Sequence, residues 1–213
     1  FDSPANLQRL LAVPDALMDR ATSVSNPYRA AHTYLWGLVI ELLIYAPMRI
    51  GNLARLRVDR HLVRPEGPQG PVIIALTADE TKNRQPHEYP LPHETIRKLG
   101  RYLSEYRPAL LSQPDTPWLF PDRQGNHKST ITIGGALTDR IFRETGLRMT
   151  PHQFRHLAAK LLLAARPGEF ELTRQVLSHR HVSTTVNFYA GIQSADSVAL
   201  YDDIVDQHRR SGG

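Results

Sequence analysis

A chain of 213 residues with 41% hydrophobic, 22% charged and 8% aromatic side chains has a globular composition, which excludes wholesale disorder and collagen-like repeats. It contains no cysteine; disulfide staples, thiolate-bound zinc and a cysteine nucleophile are excluded, and a reducing cytosol suits it. A net charge of +5 with a pI near 9.7 favours a polyanionic partner.

Phe1-Asp2-Ser3-Pro4 has neither the basic start nor the apolar stretch of a signal peptide. The chain also lacks an initiator Met, so it reads as a processed or excised piece of something longer. Leu7, Leu10, Leu11, Leu17 and Met18 fall near helical spacing and predict one or two short helices broken around Pro14, an opening segment over 1–25. Ser25-Asn26-Pro27 is a helix start, a cap residue followed by proline in the first turn. That helix runs to about Tyr45, and Pro47 ends it. Its apolar stretch, Trp36 to Ala46, is eleven residues interrupted by Glu41. A membrane span needs about 20, so this is a core helix. A second helix follows over about Ile50 to Leu56, then a strand over Val58 to Val63.

Pro65 to Gly70 is a turn. Val72 to Leu76 is a β-branched strand, Glu88 to Leu91 its partner, and Asp79 to His87 the polar tip between them. Thr95 to Tyr106 is an amphipathic helix closed by Pro108, and Pro114 to Asn126 is loop-like. Helices follow over about Ile133–Thr145, Pro151–Ala165, Phe170–Leu177, Ser183–Ala190 and Ser194–His208. The expected class is mostly α with a small antiparallel β-sheet (α+β), a single domain over 1–213 with a C-terminal helix and tail over 194–213.

Chemistry concentrates in two stretches. In Thr150-Pro151-His152-Gln153-Phe154-Arg155-His156, a helix start puts His152 and Arg155 three apart on one face. An acid/base imidazole then stands beside a fixed guanidinium at an electropositive helix end. A capped helix with a solvated His and Arg explains the same residues. His152 and His156 are four apart, but Gln153 stands where a zinc protease needs Glu, so no metal site is expected. The second stretch, Val176 to Thr185, runs into Phe188-Tyr189. Small residues and His179 end one helix, and Ser183-Thr184-Thr185 caps the next. From Arg148 to His181 there are six Lys or Arg against two acidic residues, with four of the ten histidines. That is a cationic surface close to a tyrosine hydroxyl, although a solvated basic face is the commoner meaning of a charge run.

With these residues in order, the chain resembles the catalytic domain of the tyrosine recombinases, or phage-type integrases. Their pattern is Arg…Lys…His-x-x-Arg…His/Trp…Tyr. Ala46-Pro47-Met48-Arg49-Ile50-Gly51-Asn52-Leu53 resembles the first-arginine motif and gives Arg49. Thr81-Lys82-Asn83, at the tip of the predicted hairpin, resembles the mobile loop that carries the lysine and gives Lys82. Thr150 to His156 gives His152 and Arg155. Leu177-Ser178-His179 resembles a Leu-Gly-His box and gives His179, and Tyr189 matches the nucleophile. The resemblance covers about residues 27–201. Three departures stand out. Ser178 replaces the usual glycine. Asn52 stands where an acidic residue usually helps hold the first arginine. The nucleophile usually lies nine residues after the His-box histidine, whereas Tyr189 lies ten after His179, with Phe188 at nine.

The resemblance implies the catalytic-domain fold of that family and a site-specific recombinase or integrase. It would cut and rejoin double-stranded DNA through a 3′-phosphotyrosyl link, with no cofactor, metal or ATP. It implies Arg49 and Arg155 as a clamp on the phosphate oxygens, Lys82 as acid for the leaving oxygen, and His179 as a further donor. His152 would help move the proton of Tyr189. Arg49→Ala or Arg155→Ala should then abolish turnover while the fold survives. Arg55, Arg57, Arg84, Arg123, Lys128 and Arg180 are candidates for backbone phosphates. The expected assembly is a tetramer on paired DNA sites, or a monomer for an isolated domain. The expected setting is cytoplasmic and nucleoid-associated, without membrane. The family's N-terminal DNA-binding domain has no counterpart in this chain. Two other readings stay open: a catalytically inactive DNA-binding relative with Phe188 in the nucleophile slot, and a type IB topoisomerase-like enzyme.

Overall fold

The computed structural model describes residues 3–111, 116–177, 183 and 185. The chain divides into two compact units, Phe1–Phe154 and Arg155–Gly213. In the first, α1 (Pro4–Thr22) and α2 (Pro27–Tyr45) lead to a short α3 (Ile50–Ala54). An antiparallel sheet of β1 (Leu62–Val63), β2 (Ile73–Leu76) and β3 (His87–Pro90) follows in the order β1-β2-β3. Then come α4 (His93–Arg101), α5 (Thr130–Thr145) and α6 (Pro151–Ala165), whose first turn closes this unit. The expected class, mostly helical with one small antiparallel sheet, is what the chain forms.

α2 is the centre of the first unit. The Asn26 side chain accepts the Arg29 N–H at 2.9 Å and starts the helix with Pro27. Leu35, Trp36, Leu38, Val39, Ile40, Leu42 and Leu43 are all buried, so this helix is apolar all round. Each such side chain stabilises the fold by about 1.5–3 kcal/mol. Glu41 breaks the run without breaking the core. Its carboxylate accepts hydrogen bonds from Thr95 Oγ1 and Lys98 Nζ, both at 2.9 Å. Lys98 also pairs with Asp15 at 2.6 Å. No helix among the described residues is long and apolar enough to cross a membrane.

Three local expectations change. Pro14 does not break α1, which is one helix of 19 residues. Leu10, Val13, Leu17 and Met18 are buried along it, and α2 approaches so closely that a Cβ at Gly37 would stand 2.9 Å from the Pro14 carbonyl oxygen. Packing here outweighs the loss of one helix hydrogen bond. The predicted strand over Val58–Val63 shrinks to Leu62–Val63, because 58–61 form a turn closed by His61 N–H on the Arg57 carbonyl at 3.1 Å. The helix predicted over Thr95–Tyr106 starts at His93 and widens at 102–106 into a π-turn before Pro108.

In the second unit, the rest of α6 packs against α7 (Phe170–Leu177). Ala159, Leu163 and Leu177 are its described core, with Ala158 and Phe170 against them. Gly168 makes the turn between the helices with a φ of 85°, a left-handed conformation natural to glycine. Ser183 and Thr185 are helical, as predicted for the start of the next segment; the rest of the helices predicted over Ser183–Ala190 and Ser194–His208 lies outside the described residues.

Candidate active site

Arg49 follows the stop that Pro47 imposes on α2. Its own backbone is extended, and its carbonyl receives the Asn52 and Leu53 amides that open α3. The side chain is half-buried. Among the described residues its guanidinium has no hydrogen-bond or ion-pair partner. Asn52, where the resemblance expects an acid, makes no side-chain bond to it among those residues.

Lys82 is exposed on the turn between β2 and β3, as the hairpin reading expected. Thr81 builds that turn. Its hydroxyl donates to the Gln85 carbonyl at 2.6 Å and accepts the Gln85 N–H at 3.1 Å. Arg84 completes the turn at a φ of 54°, a left-handed conformation uncommon outside glycine. Just before it, Thr77 caps a 3₁₀ turn over Ala78–Glu80, and Glu80 reaches back to the Thr77 N–H at 2.9 Å. Gly51, Asn52 and Arg55 of the α3 region line a cavity of about 190 Å³ together with His61, Leu76, Asp79 and Glu80. The segment opened by Arg49 and the turn that presents Lys82 therefore face one space.

His61 and Glu80 were not singled out in the sequence. His61 is buried, with Nδ1 accepting the Arg57 N–H at 2.8 Å and Nε2 lying 2.9 Å from Glu80 Oε1. An acceptor at Nδ1 leaves the proton on Nε2, which donates to the carboxylate. Partial burial pushes the Glu80 carboxyl up, but the Thr77 amide and the His61 and Thr77 side chains outweigh it and hold it at about 2. The two partners stand 19 residues apart, and no sequence pattern couples them.

The start of α6 is capped by its own sequence. Gln153 Oε1 accepts the Thr150 N–H at 2.7 Å, and the Thr150 hydroxyl lies 3.2 Å from it. This is the reciprocal half of a capping box. Gln153 thus has a structural task in the place where a zinc protease has its glutamate. His152, one residue into the helix, is exposed, and His156 is half-buried.

In the second unit Arg155 is 4% exposed. Its Nη2 donates to the carbonyl of Leu177, the last residue of α7. A cation at a helix C-terminus satisfies an orphan carbonyl and opposes the helix dipole. His179 and Tyr189, like Phe188 and Arg180, lie outside the described residues.

The other cations named from sequence differ in setting. Arg55 is exposed, and Arg57 pairs with Asp59 at 2.7 Å. Arg123 lies 5.8 Å over the Tyr28 ring. Lys128, a candidate for a backbone phosphate, is buried, and burial pushes its ammonium down. Near it, burial first, then Arg140, Lys128 and Arg123, push His32 down to about 4.

The model of the phage integrase family matches residues 5–195. A tyrosine recombinase XerD of Pseudomonas aeruginosa is 26% identical over 184 residues, covering 86% of this chain and 54% of that protein. The crystal structure of a XerA recombinase superposes with a TM-score of 0.64 at 20% identity, over 98% of this chain and 63% of that one. A XerH site-specific recombinase bound to its difH substrate in a pre-cleavage complex superposes with a TM-score of 0.65 at 20% identity, over 86% of this chain and 48% of that one. The chain spans 32–54% of the length of the curated relatives it matches.

Proposed function

Because the chain belongs to the phage integrase family, we propose that it cuts and rejoins double-stranded DNA by site-specific strand transfer through a 3′-phosphotyrosyl intermediate. The observation that carries this reading is the shared cavity of α3 and the hairpin turn, which gathers the supports of Arg49 and Lys82 around one space. A half-buried cation such as Arg49 has lost hydration that an anion brought beside it restores.

The Tyr189 oxygen attacks the scissile phosphorus, and the bond to the 5′ oxygen breaks. Lys82, a compact ammonium on an exposed turn, gives the leaving oxygen its proton. Free tyrosine has a pKa of about 10, so attack near neutrality needs a proton acceptor, and His152 assists. The transition state carries about two negative charges on its non-bridging oxygens, which the forks of Arg49 and Arg155 match. His179 adds a hydrogen bond to one of them. The phosphotyrosyl ester keeps the bond energy, so a 5′ hydroxyl of the partner strand reverses the step without a nucleotide or metal.

We read residues 1–213 as one catalytic domain that acts as a tetramer on paired sites, in the cytoplasm at the nucleoid. Tyr189 rather than Phe188 is the nucleophile. The test is a nicked duplex that loses the short fragment bearing the freed 5′ hydroxyl on cleavage and so traps the covalent complex. Wild type should give a DNA-linked band that Tyr189→Phe abolishes. No band from wild type would leave a non-catalytic DNA binder. A band that survives Tyr189→Phe would remove the assignment of the nucleophile.

A further inference from the structure

The ladder between β2 and β3 ends at the Leu76–His87 pair. Residues 77–86 extend beyond it, and Lys82 sits at their far end. A general acid on such a projection works only if its base is fixed, because a misplacement of about 1 Å can cost about 10²-fold in rate. The Thr81 and Thr77 bonds close the tip on itself and do not orient it.

Two side chains reach the tip from the connection that follows α3. Arg60 is exposed and approaches Thr77 Oγ1 at 3.3 Å and Glu80 Oε1 at 3.4 Å; exposed contacts of this length hold little. His61 is buried and bonds at both ring nitrogens, to the Arg57 backbone and to Glu80. Its carbonyl also receives the Ala75 amide of β2 at 3.0 Å. The path from Arg49 to Lys82 thus runs through α3, Arg57, the imidazole, Glu80 and Thr81. A neutral imidazole with one nitrogen accepting and the other donating fits this path in one orientation only.

We propose that His61 and Glu80 are a positioning pair that fixes the Lys82 turn relative to α3, and so sets where the Lys82 ammonium meets the leaving 5′ oxygen. This rests on the strand-transfer reading above. His61 does not touch the DNA. It acts through Glu80 on Lys82, and Asn52 and Arg55 complete the cavity that the pair walls.

The test uses two nicked substrates, one with the normal 5′ bridging oxygen and one with sulfur in its place. A thiolate leaves without a proton, so the sulfur substrate does not need Lys82. On the oxygen substrate Lys82→Ala should slow covalent trapping by about 10²–10⁴-fold, and sulfur should restore it. His61→Phe and Glu80→Gln should slow the oxygen substrate by about 10- to 100-fold and be restored by sulfur in the same way. His61→Gln, which can still donate to Glu80, should recover most of the rate. Arg49→Ala should stay slow on both substrates. A His61→Phe defect that sulfur leaves in place, or no defect at all, overturns the proposal. Amide hydrogen exchange judges the pair independently of chemistry. In His61→Phe, exchange at residues 81–85 should rise at least about tenfold while the α2 amides stay protected. Unchanged exchange overturns the positioning pair, whereas a wild type that traps neither substrate overturns strand transfer itself.

Discussion

Replacing Arg155 with lysine separates the contact that the structure shows, on Leu177, from the phosphate clamp proposed above. The guanidinium is buried, and one Nη2–H is committed to the Leu177 carbonyl. In the mechanism proposed above, the planar fork also meets the scissile phosphate. Lysine ends in a single ammonium without the planar fork. Set on Leu177, it cannot offer a parallel pair of donors to two non-bridging oxygens. Set on the phosphate, it leaves the last carbonyl of α7 unsatisfied. Loss of one preorganised donor costs about 10²–10³ in rate, or about 2.7–4 kcal/mol. Arg155→Lys should therefore slow covalent trapping by that factor at saturating DNA, while stability falls by no more than about 1 kcal/mol. Arg155→Ala should do more. A buried carbonyl loses a charge-assisted bond, about 1.5–3 kcal/mol, in a unit whose described core is small. The expectation that the fold survives both alanine variants thus applies to Arg49→Ala, and Arg155→Ala should also lower the unfolding temperature. Single-turnover trapping and thermal unfolding on the same samples check this. An Arg155→Lys protein that cleaves within about threefold of wild type refutes the reasoning, because the fork would then be dispensable.

Two further outcomes follow from the ion pairs. Glu41→Ala leaves a largely buried Lys98 with Asp15 as its remaining carboxylate, so the urea midpoint should fall by the equivalent of about 3 kcal/mol. Glu80 is held at about 2 against an ordinary 4.5. It therefore adds stability that is full above about 4.5 and lost as pH falls through about 2. Glu80→Gln should flatten the urea midpoint against pH across that window, where His61, Asp79 and Arg60 are the charged or titratable neighbours.

What the sequence made legible was local. α2 could be read because Asn26, Pro27, the apolar run and Pro47 each act on their own neighbourhood. The Lys82 turn could be read because the polar Asp79–His87 stretch separates the β-branched Val72–Leu76 run from Glu88–Leu91. The Thr150–Gln153 cap lay in plain view, yet the comparison with zinc proteases drew Gln153 toward chemistry rather than capping. What failed was tertiary. Pro14 sits inside a helix because α2 covers it. Val58 to His61 fold into a turn because His61 is drawn inward to the Arg57 amide and to Glu80. The fixing of Arg155 on Leu177 needs two helices to meet, and no spacing announces that.

The placement of acidic residues gives a reason for Asn52. Carboxylates near the cations of an anion site compete with the substrate, so the site must keep them away or consume them elsewhere. In this chain Asp59, Glu94, Glu105, Glu144 and Glu171 each meet an arginine other than Arg49, and Glu41 and Asp15 share Lys98. Glu80 is the acid nearest the Lys82 turn in sequence, and His61, Thr77 and Arg60 occupy both its oxygens. An acid at position 52 would add an uncommitted carboxylate to the cavity that Glu80 already lines. With asparagine there, the support of the turn comes from Glu80, and the cavity gains no third carboxylate beside Asp79 and Glu80. The departure of Asn52 from the family pattern and the presence of the His61–Glu80 pair are then two sides of one arrangement.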